Sequence, residues 1–183
     1  MSTDLVLYPW PTPPQKGDFG LTRGDSWAMT VTRFGTLSRY GHACVAVSDP
    51  WDEPNSDQLL IRNDQKLIRI VEAMPTGARV RVVRLDAFRW SNVILVQEQR
   101  EVITGRALSC VGIPYDWPAI LGFVAKVLGL KLHLLKSRDH PDAKMICSEL
   151  VVWAYLAAGI DLGQGLAPGD VSPGDLAEYL VSH

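Results

Sequence analysis

Cys147 is the residue whose type and position most clearly suggest chemistry. It begins a strong helix pattern, CSELVVWAYLAA at residues 147–158, which is followed by Gly159. A thiol at a helix N-terminus meets the positive end of the helix dipole and unpaired backbone N–H groups, which favour the thiolate. The position predicts a nucleophile. A small buried side chain fits the same pattern, because free cysteine is among the most buried residue types.

His42 and Glu72 could complete a nucleophilic site. His42 opens the apolar run HACVAV, so it is expected at the entrance of a buried strand, where it could act as a base if a helix N-terminus packs there. Glu72 lies in the apolar run LIRIVEA, on the strand face of Ile68 and Ile70, where an ionised carboxylate needs a partner. A neighbouring imidazole would satisfy Glu72 and be oriented by it. A structural histidine and a solvent-facing acid remain the alternatives.

The other chemistry-bearing residues give weaker signals. Three widely spaced cysteines without a CxxC pair fit neither a disulfide framework nor a zinc module, so free thiols are expected. Cys44 and Cys110 are interpreted as core and helix packing. His133 and His140 are too far apart for a metal pair on one helix face. No metal or other cofactor is predicted.

These residues would be positioned by an antiparallel sheet and several helices. Strands are predicted near residues 17–22 and 42–47, with a hairpin formed by 67–73 and 78–85 around the Pro- and Gly-containing turn at 74–77. A further short strand-like run covers 92–96. The pattern therefore indicates an α+β fold in which an antiparallel sheet packs against the helix that carries Cys147.

Helices are predicted at 97–111, 118–135, 147–158 and 175–181. The second is apolar around most of its circumference, with a narrow polar stripe of Gly122, Lys126, Gly129 and His133. Such a helix must be largely covered. It fits a buried support helix, but a lid or a groove for an acyl chain is also open.

Composition limits the class of protein. The 183 residues fit a single domain, here 17–183, preceded by an extended proline-rich arm at 1–16. A net charge of −2 provides no global field for nucleic acid or an anionic membrane. The N-terminal segment lacks a signal-peptide pattern, and charged or polar residues interrupt the best candidate for a spanning helix. A cytoplasmic or phage-associated location is expected.

Four segments together resemble the permuted NlpC/P60 branch of the papain-like superfamily, which contains YiiX-like bacterial proteins and, more distantly, lecithin–retinol acyltransferases. They are GDFGL at 17–21, YGH at 40–42, GIPYD at 112–116 and CSELV at 147–151. Histidine precedes cysteine, as in the permuted order. The resemblance covers about residues 17–177 and implies a circularly permuted papain-like fold.

The resemblance also implies roles. In that family the cysteine attacks an amide or ester carbonyl, the strand histidine is the base and a polar residue of the next strand orients it, which maps onto Cys147, His42 and Glu72. The Cys147 backbone N–H is the natural first oxyanion donor. Tyr115 in the GIPYD turn and Tyr40 beside the histidine are candidates for oxyanion or substrate binding.

The predicted activity is that of a cysteine amidase or peptidase that forms an acyl-enzyme on Cys147. Its substrate would be a peptide, a peptidoglycan stem peptide or an ester. Met145 and Ile146 stand before Cys147 in place of the polar residue of the acyltransferases, which favours hydrolysis over acyl transfer to a lipid. Two alternatives remain: acyl-chain hydrolysis or transfer on the same dyad, and a non-catalytic module of a larger, phage-like assembly.

Overall fold

In the part of the chain that the structure describes, the fold consists of one antiparallel sheet and four α-helices of ten or more residues. The computed structural model of the protein describes residues 13–24, 30, 33, 38–52, 66–91, 93–127 and 144–182. Within them the strands are β1 (Phe19–Thr22), β2 (His42–Ala46), β3 (Trp51–Asp52), β4 (Lys66–Met74), β5 (Gly77–Arg84) and β6 (Arg89–Trp90). The helices are α1 (Gln97–Ser109), α2 (Trp117–Val127), α3 (Cys147–Ala157) and α4 (Pro173–Ser182).

The sheet places the histidine strand between the glutamate strand and β1. Its order is β5, β4, β2, β1 and β6, and every pairing is antiparallel. The short β3 pairs with the beginning of β4, whereas β2 pairs with its later part, so β3 continues the line of β2. His42, the first residue of β2, consequently lies at one end of the sheet.

Two apolar clusters cover the two faces of this sheet. Alternate residues of β2 divide between them: Ala43 and Val45 belong to the larger cluster, and Cys44 and Ala46 to the smaller one. The larger cluster contains most of the buried side chains of α3, and the smaller cluster is closed by Phe88 and Trp90. α3 therefore packs on one face of the central strands. This core packing fixes the position of the helix.

The hairpin of β4 and β5 sets which side chains face Glu72. Pro75 and Thr76 form its two-residue turn, and Gly77 follows with φ of +109°. A Cβ at Gly77 would lie 3.1 Å from the Ile113 carbonyl oxygen, so both the conformation and the space favour glycine there. The resulting register pairs Met74 with Gly77 and Glu72 with Arg79.

A short parallel bridge delivers the chain into α3. Tyr115 pairs with Met145, and the Met145 N–H donates to the Pro114 carbonyl oxygen at 3.0 Å. α3 then runs to Ala157, and Gly159 follows with φ of +77°, the left-handed conformation typical of a helix C-terminal cap. The GIPYD turn at residues 112–116 thus holds the residues just before Cys147 in place.

Comparison with the sequence analysis gives one clear error. Residues 93–96, part of the predicted strand-like run, are irregular, and Ile94 is 95% exposed. The strand instead lies earlier, at Arg89–Trp90, because the indole N–H of Trp90 donates to the Leu85 carbonyl oxygen and turns the chain toward β1. The α+β class and the antiparallel sheet against the Cys147 helix are confirmed.

Some predictions concern residues outside the described part of the chain. They include most of the arm at 1–16 and the continuation of the apolar helix beyond Val127, with Gly129, His133 and His140. Within the described ranges, no helix is both long enough and apolar enough to cross a membrane.

Candidate active site

His42 and Glu72 form a buried pair at one end of the sheet. His42 Nε2 lies 3.0 Å from Glu72 Oε2, and their side chains are 3% and 0% exposed. They come from adjacent strands: β2 carries His42, and β4 carries Glu72 opposite Cys44. Alternation along β2 puts His42 and Cys44 on one face, so Glu72 reaches the imidazole diagonally. The predicted partnership of these two residues is present in the structure.

Cys147 is the second partner of His42. Its thiol, at the start of α3, interacts with the imidazole closely enough to affect its protonation. Burial is the largest single influence on the His42 pKa and lowers it. The bonds to Cys147 and Glu72 outweigh burial and raise the pKa to about 9. His42 therefore holds a proton readily at neutral pH.

Glu72 is held by two arginines as well as by His42. The Nε and Nη2 atoms of Arg79 donate to Glu72 Oε1 at 3.1 and 3.0 Å. Arg81 Nη2 donates to Oε2 at 3.2 Å, and Arg81 Nε lies 3.0 Å from Oε1. Burial, the largest influence, raises the pKa of Glu72, but His42 and the arginines lower it below the usual value. Glu72 therefore stays ionised although it is completely buried.

A second buried glutamate stabilises the start of the nucleophile helix. Glu149 Oε2 accepts a hydrogen bond from the Ile146 backbone N–H at 3.3 Å, the side-chain half of a capping box. Burial, followed by repulsion from Asp116 and Asp170, raises its pKa to about 7. The indole N–H of Trp153 partly offsets this rise but makes no well-formed hydrogen bond. Glu149 thus fixes the residue next to Cys147 at the helix start.

The two tyrosines occupy different surroundings. Tyr115 is nearly buried, and its pKa is raised first by burial and then by the nearby charge of Cys147, so its hydroxyl stays protonated. The structure thus brings Tyr115 to the vicinity of the thiol. The Tyr40 hydroxyl instead accepts a hydrogen bond from Arg89 Nη1 at 3.2 Å, and its ring packs against the larger core cluster.

The other two cysteines differ from Cys147 in their partners rather than in their burial, since all three are buried and free. Burial, followed by the charge of Glu72, raises the pKa of Cys44 well above its usual value. The Cys110 thiol donates to the Arg106 carbonyl oxygen at 3.3 Å. Among these contacts, Cys147 is the cysteine that interacts with the His42 imidazole.

Comparison with solved structures finds proteins of similar fold. The chain is similar to the crystal structure of the metalloprotein YiiX from Escherichia coli O157:H7, with a TM-score of 0.51 and 20% sequence identity over 83% of this chain and 71% of YiiX. The likeness establishes a YiiX-like fold. No protein-family model matches the chain, and neither does any curated protein.

YiiX is described as a metalloprotein, and the described residues of this chain do not fit a metal ion. Among them, no group of three or more His, Cys, Asp or Glu side chains is arranged to hold one. Glu72, the acid beside His42, already binds two guanidinium groups, and these would repel a cation.

Sequence reasoning missed Arg79, Arg81 and Glu149. The first two had a usable signal: a two-residue turn at 75–76 pairs 74 with 77, and counting back pairs 72 with 79. Glu149 stands at the third helical position, where glutamate commonly completes a capping box. That signal was obscured because the residue before the helix is Ile146, which has no side-chain oxygen.

Proposed function

We propose that the protein is a cysteine-dependent hydrolase of amides or esters, with Cys147 as nucleophile, His42 as base and Glu72 as the residue that orients His42. The observation that supports this most is the buried imidazole of His42, which lies 3.0 Å from the Glu72 carboxylate and also interacts with the Cys147 thiol. Covalent catalysis of this kind requires a nucleophile next to a base, and an acid that orients the base. The permuted papain-like architecture is part of the same proposal.

Because His42 already holds a proton near neutral pH, the proton that it shares with Cys147 lies on the imidazole before the reaction, and in the first step the sulfur attacks the substrate carbonyl carbon. The imidazolium is stabilised by the Glu72 carboxylate, which favours the thiolate–imidazolium pair. The new oxyanion would accept a hydrogen bond from the Cys147 backbone N–H, one of the N–H groups without a helical acceptor at the start of α3. The Tyr115 hydroxyl is our candidate for the second donor.

In the second half His42 gives its proton to the leaving amine or alcohol as the C–N or C–O bond breaks. The acyl group then remains on Cys147 as a thioester. A water molecule gives a proton to His42 and attacks the thioester, which releases the acid and the thiol. Peptides, peptidoglycan stem peptides and simple esters all have the required carbonyl group.

Trapping the acyl-enzyme tests this proposal. The protein is incubated with peptidoglycan fragments, with phospholipid or with an activated acyl ester, and peptide mapping by mass spectrometry locates the adduct. We expect acylation of Cys147 in the wild type and none at this position in His42→Ala. Cys110→Ala is the matched control, because Cys110 is equally buried and its thiol donates to a helix carbonyl oxygen. Absence of any adduct on Cys147 would favour a non-catalytic module.

A chelator separates this mechanism from a metal-dependent one. Turnover should be unchanged after treatment with EDTA and dialysis, because the proposed steps use only protein side chains. Metal content measured on the same samples provides the control. A loss of turnover that zinc restores would replace the thiol mechanism with a metal-assisted one.

A further inference from the structure

We propose that the outer edge of β5, at residues 80–82, binds an extended segment of another protein in which acidic and apolar side chains alternate. The segment would join the sheet as a further strand beside β5. β4 pairs with one side of β5, and no strand of the described residues pairs with its other side. The inference concerns binding at this edge and does not depend on the proposed function.

The first argument is the direction of the backbone groups of β5. The Ala78 N–H donates to the Ile113 carbonyl oxygen, and the Gly112 N–H donates to the Ala78 carbonyl oxygen, both at 2.8 Å. Because these groups of Ala78 bond the GIPYD turn and not β4, they mark the outer side of the strand. Outward-pointing residues alternate along an antiparallel strand, so the N–H and C=O groups of Val80 and Val82 also point outward. Within the described ranges, no backbone hydrogen bond uses these four groups.

The second argument is the alternation of side chains along this edge. Val80 and Val82 lie on one face of β5 and are 42% and 46% exposed. The side chains of Arg79 and Arg81 lie on the other face and are each 45% exposed. The two guanidinium groups share one carboxylate, that of Glu72, so positive charge remains on this face. An added strand with acids opposite the arginines and apolar residues beside the valines would complement both faces.

Charge disfavours a second copy of the chain as the occupant of this edge. If two β5 edges paired about a twofold axis, all the open backbone groups would be used when Val80 of each copy lay opposite Val82 of the other. That register would place Arg81 directly opposite Arg81 of the second copy, and like charges at opposite positions are destabilising. Charged residues on edge strands commonly prevent such self-association. The arginines therefore favour an acidic partner.

Amide hydrogen exchange measured by NMR tests both the open edge and its occupant. In the free protein the amides of Val80 and Val82 should exchange faster than those of Arg79 and Arg81, which point toward β4. The probe is an eight-residue peptide in which Glu and Val alternate. At about ten times its Kd, the peptide should slow exchange at Val80 and Val82 by about tenfold. The same peptide with Lys in place of Glu is the charge control and should slow neither amide.

Substitutions at the edge test the same contact by fluorescence anisotropy of the labelled peptide. Val80→Glu should weaken binding of the Glu–Val peptide about tenfold, because it places a like charge at the edge. Val102→Glu is the matched control, since Val102 in α1 is 43% exposed, and it should bind like the wild type. Val80→Pro removes one outward N–H, a change that edge strands tolerate, and should weaken binding about fivefold. Arg81→Gln should narrow the preference for Glu over Lys peptides, and unfolding curves confirm the fold of each variant.

Three results would overturn the proposal. Slow exchange of Val80 and Val82 in the free protein at every protein concentration would mean that the rest of the chain covers the edge. Slow exchange that appears as the protein concentration rises would identify a second copy as the occupant. Equal binding of the Glu and Lys peptides, or of Val80→Glu and Val102→Glu to the Glu peptide, would refute recognition of an acidic strand here.

Discussion

The candidate site contains two buried glutamates whose surroundings affect their charge in opposite ways. Glu72 is 0% exposed, yet three cationic or proton-donating side chains hold its pKa below the usual value. Glu149 is 5% exposed and has a backbone N–H as its principal partner, with Asp116 and Asp170 nearby, and its pKa rises to about 7. Similar burial therefore gives one permanent charge and one group that titrates near neutrality.

The difference lies in what each carboxylate does. Glu72 faces the imidazole, where a permanent negative charge stabilises the imidazolium formed when Cys147 loses its proton. Glu149 faces the backbone of the helix start, where a hydrogen-bond acceptor is needed but a full charge is not. The strand partners of Glu72 supply cations, and the helix surroundings of Glu149 do not. Function at each position thus depends on the neighbouring side chains rather than on burial.

The largest effect is expected from removing Cys147 or His42, the proposed nucleophile and base. Cys147→Ala and His42→Ala should each reduce turnover on the order of 10⁴-fold or more, because nucleophile and base act as one unit. The double variant should be no worse than either single variant. Turnover of an activated ester by folded variants is the measurement, with Cys110→Ala as the control. Activity that survives Cys147→Ala would refute the whole assignment.

The next effect concerns Glu72 itself. Glu72→Gln should reduce turnover less than Glu72→Ala, because an amide oxygen still accepts the imidazole N–H and loses chiefly the stabilising charge. Glu72→Ala should also lower the free energy of unfolding by about 3 kcal/mol, the low end for a broken buried ion pair, since both arginines can turn toward water. Urea unfolding and turnover are measured on the same samples. Full activity in Glu72→Ala would remove Glu72 from the site.

A smaller effect is expected on the protonation of His42. NMR titration of the imidazole ring should show its pKa falling from about 9 by roughly one unit or more in Glu72→Gln, because a charge in contact is lost while both guanidinium groups remain. Glu149→Gln should leave the His42 titration nearly unchanged, since Glu149 is not among the largest influences on the His42 pKa. Equal shifts in the two variants would mean that the carboxylates do not have separate roles.

Much of this arrangement was predictable from local sequence patterns, and the rest depended on register. Short apolar runs identified the strands of His42 and Glu72, and the helix pattern placed Cys147 at an N-terminus. The two-residue strand Arg89–Trp90 was missed because its position depends on the Trp90 hydrogen bond to Leu85, a contact that no periodicity reveals. Arg79 and Arg81 read as an exposed strand face until hairpin register puts them opposite or diagonal to Glu72. Residue propensity predicts which segments form strands and helices. Which side chains meet depends on the register in which the strands pair.

The pH dependence of stability should separate the two glutamates by sign. Glu72 has a lowered folded pKa, so its contribution is present above its unfolded value of about 4.5 and is lost as the pH falls through the folded pKa. Glu149 has a raised folded pKa, so the folded protein keeps a proton that the unfolded chain releases. Its contribution is fully present below about pH 4.5 and is lost as the pH rises through about 7.

Substitution by glutamine should remove each effect in its own pH window. Relative to the wild type, Glu149→Gln should become more stable as the pH rises from about 4.5 to 7, by on the order of 1–3 kcal/mol, because the amide keeps an acceptor for Ile146 without a charge to desolvate. Glu72→Gln should become relatively less stable as the pH rises toward 4.5 and then stay level to about pH 6.5, above which its lowered His42 pKa also changes the difference. Urea unfolding between pH 3.5 and 8 measures both. Because the two differences have opposite slopes, the same slope in both variants would show that burial, and not the partners, controls these carboxylates.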